Sequence, residues 1–320
     1  MFSQILKDVS RSFYLSVRVL PRAMREPVSL GYLLARASDT LADTEVLDAH
    51  LRAELLSEFA DILAGADASD WVRRIQGEVV PKQMHEGERV LLENISGVLK
   101  WLKSLAEQPA PKNAEHYEAN QGMSKSVGLR HYEAILTVMG HILRGQRLDI
   151  ERFELNDGFR FTLDAELEEY CYLVAGCVGE FWTDVGEISL GNFSSMETAR
   201  LRRWGAHYGK GLQLINILRD LPSDLKHGRC YLPGVDRSDR DALMVESARW
   251  RARARTYLHD GHHYASSLMH VRTRAATALP GLIGERTLDL MDAADWEMME
   301  QGVKVSRSNV YRCALEALFV

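Results

Sequence analysis

Apolar residues return at intervals of three and four along most of the chain, the period of a helix with one buried face, and few stretches alternate as strands do. Leu51, Leu55, Leu56, Phe59, Ile62 and Leu63 predict an amphipathic helix between Asp48 and Gly65. Val90, Leu91, Ile95, Val98, Leu99 and Leu102 predict another from Glu86 to Leu105. Pro27, read as a first-turn residue, predicts the start of a helix running through Val28, Leu30, Tyr32, Leu33 and Leu34 to Asp43, whose buried face is expected to carry Arg36, Asp39 and Asp43. Further helices are expected from Tyr132 to Phe153, from Leu167 to Trp182, through Gln213 to Asp220, after Pro280, and at the end of the chain with a cap at Ser306 or Ser308. Pro222 should kink or end the helix that carries Asp220 before it reaches Asp224. The stretch from Glu107 to Asn120, with Pro109 and Pro111, reads as a surface connector. All-α is the expected fold class.

Composition narrows this further. The 320 residues are 46% hydrophobic with only 8 Pro, and no Pro/Gly/Ser linker interrupts them, so one helical domain over residues 1–320 is expected. A net charge of −6 gives no footprint for nucleic acid, and Arg251, Arg253, Arg255, Arg272 and Arg274 read as solvated helix faces. Cys171, Cys177, Cys230 and Cys313 form no Cys-x-x-Cys pair and no dense framework, which fits a reducing, cytoplasmic setting. No apolar run approaches the roughly 20 residues that span a bilayer. Lys7 and Asp8 stand where a signal peptide would have its apolar core, so a soluble or at most peripheral protein is expected.

The candidate chemistry lies in two acidic pairs. Asp39 and Asp43 are four residues apart, as are Asp220 and Asp224, and Gln213 and Asn216 precede the second pair on the same helical face. Carboxylates so spaced repel one another, and beside apolar neighbours they call for a cation. Hard oxygen ligands suit Mg²⁺, which keeps several waters and binds through a few carboxylates together with substrate phosphates. Upstream, Ser10, Arg11 and Ser12 offer hydroxyls and a guanidinium to phosphate oxygens, although taken alone they are better explained by a serine cap with a surface arginine. Ala175, Gly176, Cys177 and Gly179 leave a hollow suited to a close helix crossing or a long apolar ligand, and the residues alone favour the crossing. Gly186 to Ser195 reads as a flexible loop able to cover a site mouth. His259, His262 and His263 lack a third ligand at suitable spacing and read as a surface cluster.

In order along the chain, Ser10-Arg11-Ser12-Phe13, Arg36 to Asp43, Tyr170 to Gly179, and Gln213 to Asp224 with Arg229 and Tyr231-Leu232-Pro233 resemble the squalene and phytoene synthase family of head-to-head prenyl transferases. Leu34 to Thr40 and Val303-Lys304-Val305-Ser306-Arg307 look more like squalene synthases than phytoene synthases. The resemblance implies an all-α isoprenoid-synthase fold with a central cavity between the aspartate pairs. It implies condensation of two farnesyl diphosphates to presqualene diphosphate and NADPH-dependent conversion of that to squalene. Asp39, Asp43, Asp220 and Asp224 would hold Mg²⁺, with Asn216 and Gln213 orienting metal-bound water and substrate. Arg36, Arg219, Arg229, Ser10, Arg11 and Ser12 would clamp phosphate oxygens. Tyr170 would stand at the reacting carbons, and Lys304 and Arg307 would contact NADPH.

Ser223 stands where many relatives carry an additional acid, and no membrane-spanning tail like that of eukaryotic squalene synthases is expected; an almost purely hydrocarbon product leaves room for peripheral membrane contact. Within the family, the alternatives are synthases of presqualene diphosphate, hydroxysqualene, dehydrosqualene or phytoene. Outside it stands a catalytically silent helical scaffold, which would be expected to lose some of the four aspartates.

Overall fold

The computed structural model describes residues 2–10, 14, 17–107, 125–156 and 158–320. Its helices are α1 (Phe2–Val9), α2 (Arg22–Asp43), α3 (Ala49–Leu63), α4 (Ser69–Arg74), α5 (Glu86–Glu93), α6 (Ile95–Ala106), α7 (Val127–Phe153), α8 (Asp164–Cys171), α9 (Cys177–Leu190), α10 (Thr198–Lys226), α11 (Arg240–Ser266), α12 (Val271–Asp292), α13 (Trp296–Gln301) and α14 (Arg307–Glu316). No strand occurs among the described residues, so the all-α expectation holds. No helix among them is long and apolar enough to cross a membrane. Several helices begin at the caps their sequence offers: Asp48 accepts from His50 N at 2.9 Å, Asp239 from Ala242 N at 3.0 Å, and Ser306 from Asn309 N at 3.3 Å.

The described chain divides into two compact units. One comprises the residues up to Ile150 together with Asp184–Gly191, the other Glu151–Thr183 together with Asn192–Val320. In the first unit, α2 buries Leu30, Leu33, Leu34, Ala37 and Leu41 completely, which turns Tyr32, Arg36, Asp39 and Asp43 to its other face. This helix starts at Arg22, not at Pro27. Pro27 has no N–H for the Ala23 carbonyl four residues back, and the Ser189 hydroxyl donates to that carbonyl instead at 3.4 Å. Just past Asp43, the buried Arg52 closes the turn by donating to Ala42 O at 2.6 Å and Leu47 O at 3.2 Å. The helix expected from Glu86 to Leu105 is two helices, divided at Asn94, whose side-chain amide donates to Val90 O at 2.8 Å.

In the second unit, α10 packs Leu214, Ile217, Leu218 and Leu221 into a core with Trp250, Ala254, Tyr257 and Leu258 of α11. Pro222 does not break α10, which runs one turn further to Lys226 and ends before Gly228 at φ +80°. Between α8 and α9 lies a five-residue π-turn, Tyr172–Gly176. Here the small residues serve the close crossing that the sequence favours. A Cβ on Gly205 would stand 2.6 Å from Gly179 O, and one on Gly179 or Gly209 would collide with the backbone of Gly205 or Ala175.

Two expectations are corrected in this half of the chain. The loop expected over Gly186–Ser195 is helical as far as Leu190. Beyond it Phe193 is fully buried and Ser194 is bridged to Leu268, so the remainder is anchored and not a free flap. The arginines of α11 are not simply solvated either. Arg251 is buried and donates to Asp292 at 2.6 Å, and Arg255 donates to Asp289 and Asp292 at 2.9 and 2.6 Å, because carboxylates of α12 face them.

Candidate active site

On α2 the residues Tyr32, Arg36, Asp39 and Asp43 follow at steps of four, three and four and therefore share one face. Arg36 Nη2 donates to the Tyr32 hydroxyl at 3.2 Å, Tyr32 donates to Val9 O at 3.3 Å, and Arg36 Nη1 lies 3.9 Å from an Asp39 oxygen. The Asp39 side chain is 42% exposed, yet the surrounding protein and the neighbouring Asp43 push its carboxyl up to about 6 against the opposing pull of Arg36. Two hydrogen-bonding atoms beside it, Arg36 Nε and Gln146 Oε1, are buried with no partner among the described residues. Gln146 of α7 donates to Asp39 Oδ1 at 2.5 Å. It is the residue that sequence reasoning missed, since a lone glutamine amid Arg144, Arg147 and Asp149 carries no distinguishing signal. Ser10 is buried and its hydroxyl turns back onto Leu6 O of α1, whereas Arg11 and Ser12 lie outside the described residues.

On α10 the face that carries Gln213, Asn216, Asp220 and Asp224 is half-buried to exposed. Arg219 grips Asp220 with both nitrogens, Nε at 2.8 Å and Nη2 at 2.6 Å. Arg229 donates to Glu154 at 2.9 Å, and its backbone N–H closes onto the Asp224 carbonyl oxygen at 2.9 Å, fixing the turn after the helix. Tyr170 of α8 is 9% exposed, belongs to the same core as Ile217 and Leu221, and stacks on Tyr231 at 5.0 Å and 21°. Phe153 and Phe161 extend this aromatic wall around Tyr231, at 4.9 and 6.0 Å. Lys304 and Arg307 are exposed on either side of the Ser306 cap, on a segment tethered to the core by Val303.

Among the described residues no three His, Cys, Asp or Glu side chains form a cage for a metal. Mg²⁺ needs less than a cage, because phosphate and water complete its octahedron. The donor chemistry fits it: each unit has an i, i+4 carboxylate pair with an arginine close by, and Asp39 in particular is an acid that burial and a like charge hold reluctant to ionise.

Comparison with known proteins places the fold and the family. A ligand complex of TcSQS superposes with a TM-score of 0.70 at 20% identity, covering 99% of this chain and 87% of that one. Squalene synthase HpnC from Alicyclobacillus acidocaldarius superposes with a TM-score of 0.58 at 18% identity, covering 91% and 92%. The fold is thus that of the all-α isoprenoid synthases. The sequence goes further: residues 6–309 match the squalene/phytoene synthase family, and the chain belongs to it. That family is one of head-to-head prenyl transferases, whose substrates are prenyl diphosphates.

Named relatives differ in product. A squalene synthase from Schizosaccharomyces pombe is 26% identical over 233 residues, 72% of this chain and 43% of that protein. A 15-cis-phytoene synthase from Synechocystis sp. is 24% identical over 93% of this chain and 77% of its own length. A presqualene diphosphate synthase from Rhodopseudomonas palustris is 24% identical over 97% of this chain and 93% of that one. This chain thus spans less than half of the Schizosaccharomyces pombe relative.

Proposed function

We propose that the protein is a squalene synthase, which joins two farnesyl diphosphates into presqualene diphosphate and reduces that, with NADPH, to squalene. The observation that carries this reading is the polar cluster at Asp39, where Arg36 Nε and Gln146 Oε1 are buried without partners among the described residues, beside a carboxylate that resists ionisation. Such groups are a cost to a folded chain and find their purpose in a charged ligand. Asp39, Asp43, Asp220 and Asp224, with Asn216, would hold Mg²⁺, which would supply stabilisation of the charge that builds on the departing diphosphate. Arg36 and Arg219, with Arg229 and the residues Arg11 and Ser12, would bind phosphate oxygens, whereas the Ser10 hydroxyl is buried and spent on Leu6 O. The aromatic wall of Tyr170, Tyr231, Phe153 and Phe161 would exclude water from the carbocation and steady it through ring faces, while the Tyr170 hydroxyl would move the proton that leaves on coupling. NADPH would supply the hydride for the last step, its 2′-phosphate suited to the exposed cations Lys304 and Arg307.

The deciding experiment incubates purified protein with farnesyl diphosphate and Mg²⁺, with and without NADPH, and identifies the extracted lipids by mass spectrometry. Squalene formed only with NADPH supports the reading. A second reading, that the chain stops at presqualene diphosphate, is favoured by the near full-length match to the Rhodopseudomonas palustris relative. In that case presqualene diphosphate accumulates whether or not NADPH is present. If the protein does reduce, Lys304→Ala and Arg307→Ala are expected to separate the two half-reactions, with presqualene diphosphate accumulating at normal rates of farnesyl diphosphate consumption. Loss of all consumption in both variants would assign these residues to the first step or to the fold.

Tyr170 has two separable roles. Phenylalanine keeps the ring that stacks on Tyr231 and removes only the hydroxyl, whereas alanine removes both. Tyr170→Phe is expected to lose turnover on the order of 10²-fold, the range for a positioned acid or base, and Tyr170→Ala to lose more. Wild-type turnover in Tyr170→Phe at saturating farnesyl diphosphate would leave the ring as the only contributor.

A further inference from the structure

Gln146 is not explained by packing. It stands on α7, is only 9% exposed, and spends one amide N–H on Asp39 Oδ1 at 2.5 Å. A glutamine that merely tied α7 to α2 would have its carbonyl satisfied as well. Here Oε1 is buried without a partner among the described residues, a condition that counts against the stability of a folded chain. A methionine or leucine would fill the same volume without that penalty. Across Asp39 stands the complementary orphan: Arg36 Nε is buried and lacks an acceptor, while Gln146 Oε1 lacks a donor, and the two do not satisfy one another. A diphosphate oxygen answers the arginine. The glutamine carbonyl needs an O–H or N–H, and a hydrated Mg²⁺ bound at Asp39 carries such donors on its waters.

Resting on the reading of Asp39 as a metal ligand, we propose that Gln146 is the positioning residue of the Asp39 metal site, its amide N–H orienting the carboxylate and its carbonyl receiving a hydrogen bond from a water on the bound Mg²⁺. Outer partners of this kind set the affinity of a site whose inner ligands are few, and their loss typically costs 10- to 100-fold in metal affinity or activity.

The test compares the parent protein with Gln146→Met, a substitution of similar volume. Thermal midpoints are measured against Mg²⁺ concentration without substrate, and diphosphate release from farnesyl diphosphate is measured over the same Mg²⁺ range. The Mg²⁺-free midpoint of Gln146→Met should equal or exceed that of the parent, since a buried orphan carbonyl is removed. The Mg²⁺ concentration giving half of the thermal shift, and half of the maximal release rate, should rise 10- to 100-fold, with release recovering as Mg²⁺ is raised. A lowered Mg²⁺-free midpoint with an unchanged Mg²⁺ titration would make Gln146 a structural tie and overturn the proposal. A uniform fall in rate at every Mg²⁺ concentration would also overturn it, placing Gln146 in the chemistry and not at the metal. If the parent releases diphosphate with Mg²⁺ and the variant titrates identically, only the role of Gln146 falls. A parent with neither Mg²⁺-dependent release nor a Mg²⁺-dependent midpoint overturns both this proposal and the reading it rests on.

Discussion

Asp39→Asn and Asp220→Asn are each expected to reduce diphosphate release by about 10³-fold while the protein stays folded. The size follows from the several kcal/mol that a metal contributes to a charged transition state, each ~1.4 kcal/mol being tenfold in rate. The two variants should differ in stability. Asp220 is held by two hydrogen bonds from Arg219 and loses them as asparagine, but at 47% exposed the pair adds little to the fold. Asp39 is pushed up to about 6 by burial and by Asp43, so its charged form is disfavoured in the folded chain. Well below the ordinary aspartate value, at about pH 3 and under, it is protonated folded and unfolded alike and contributes nothing. As pH rises from there through the folded value, the unfolded chain gives up its proton first and stability is lost. In the absence of Mg²⁺, Asp39→Asn should therefore raise the thermal midpoint above about pH 6 and leave it unchanged near about pH 3. Near-normal diphosphate release in either variant would sink the metal assignment, and a lower midpoint for Asp39→Asn at neutral pH would sink the electrostatic one.

The largest effect on stability is expected from Gly179→Ala. A single methyl there meets the carbonyl of Gly205, which is backbone and cannot rotate aside, and from the other side a Cβ on Gly205 would lie 2.6 Å from Gly179 O. Relief requires α9 and α10 to separate, which also opens the contact between Ala175 and Gly209 one turn away. Overpacking of a well-filled core costs about 1–3 kcal/mol and more when backbone must move, so a loss of roughly 3 kcal/mol and a midpoint lower by about 6 °C are expected. Gly140→Ala on α7, where an added Cβ has nothing within 4 Å, is the control and should be neutral or slightly stabilising. Equal midpoints for the two variants would show that the crossing yields more easily than its geometry implies.

What the sequence made legible was periodic. Leu30, Leu33 and Leu34 predict a helix with one buried face, and the four-residue spacing of Asp39 and Asp43, like that of Asp220 and Asp224, predicts that each pair shares a side; the sequence sets Arg36, Asp39 and Asp43 on the buried face, whereas the structure buries Leu30, Leu33, Leu34 and Leu41 and turns the three polar residues to the other. The small residues around Gly179 announce their crossing because nothing larger fits. Partners contributed by distant segments were not legible. Gln146 lies 107 residues from the carboxylate it holds, and no local pattern marks it. Arg251 looks solvated until α12 brings Asp292 to it, and Pro27 looks like a helix start until Ser189 supplies a donor for Ala23. In each case a polar side chain far along the chain satisfies a group that local rules leave wanting. Pro222 failed as a breaker for a different reason: only one turn of α10 follows it, so few hydrogen bonds are at stake.

The π-turn at Tyr172–Gly176 constrains how this gene can change in length. A π-turn is an α-helix that has accommodated one residue too many, and each residue of an α-helix rotates the chain by about 100°. Deleting one of these five residues would let α8 and α9 join as a regular helix with the residues on either side left in phase. Tyr170 would keep its stack on Tyr231 and Gly179 its place against Gly205. A deletion in the regular turns of α10 has no such slack, since it turns every later residue by about 100° and carries Gly205 or Gly209 out of the crossing. A single-codon deletion at the π-turn should thus be tolerated better than one in α10 between Leu201 and Gly211, and a deletion scan through both segments would show the contrast directly.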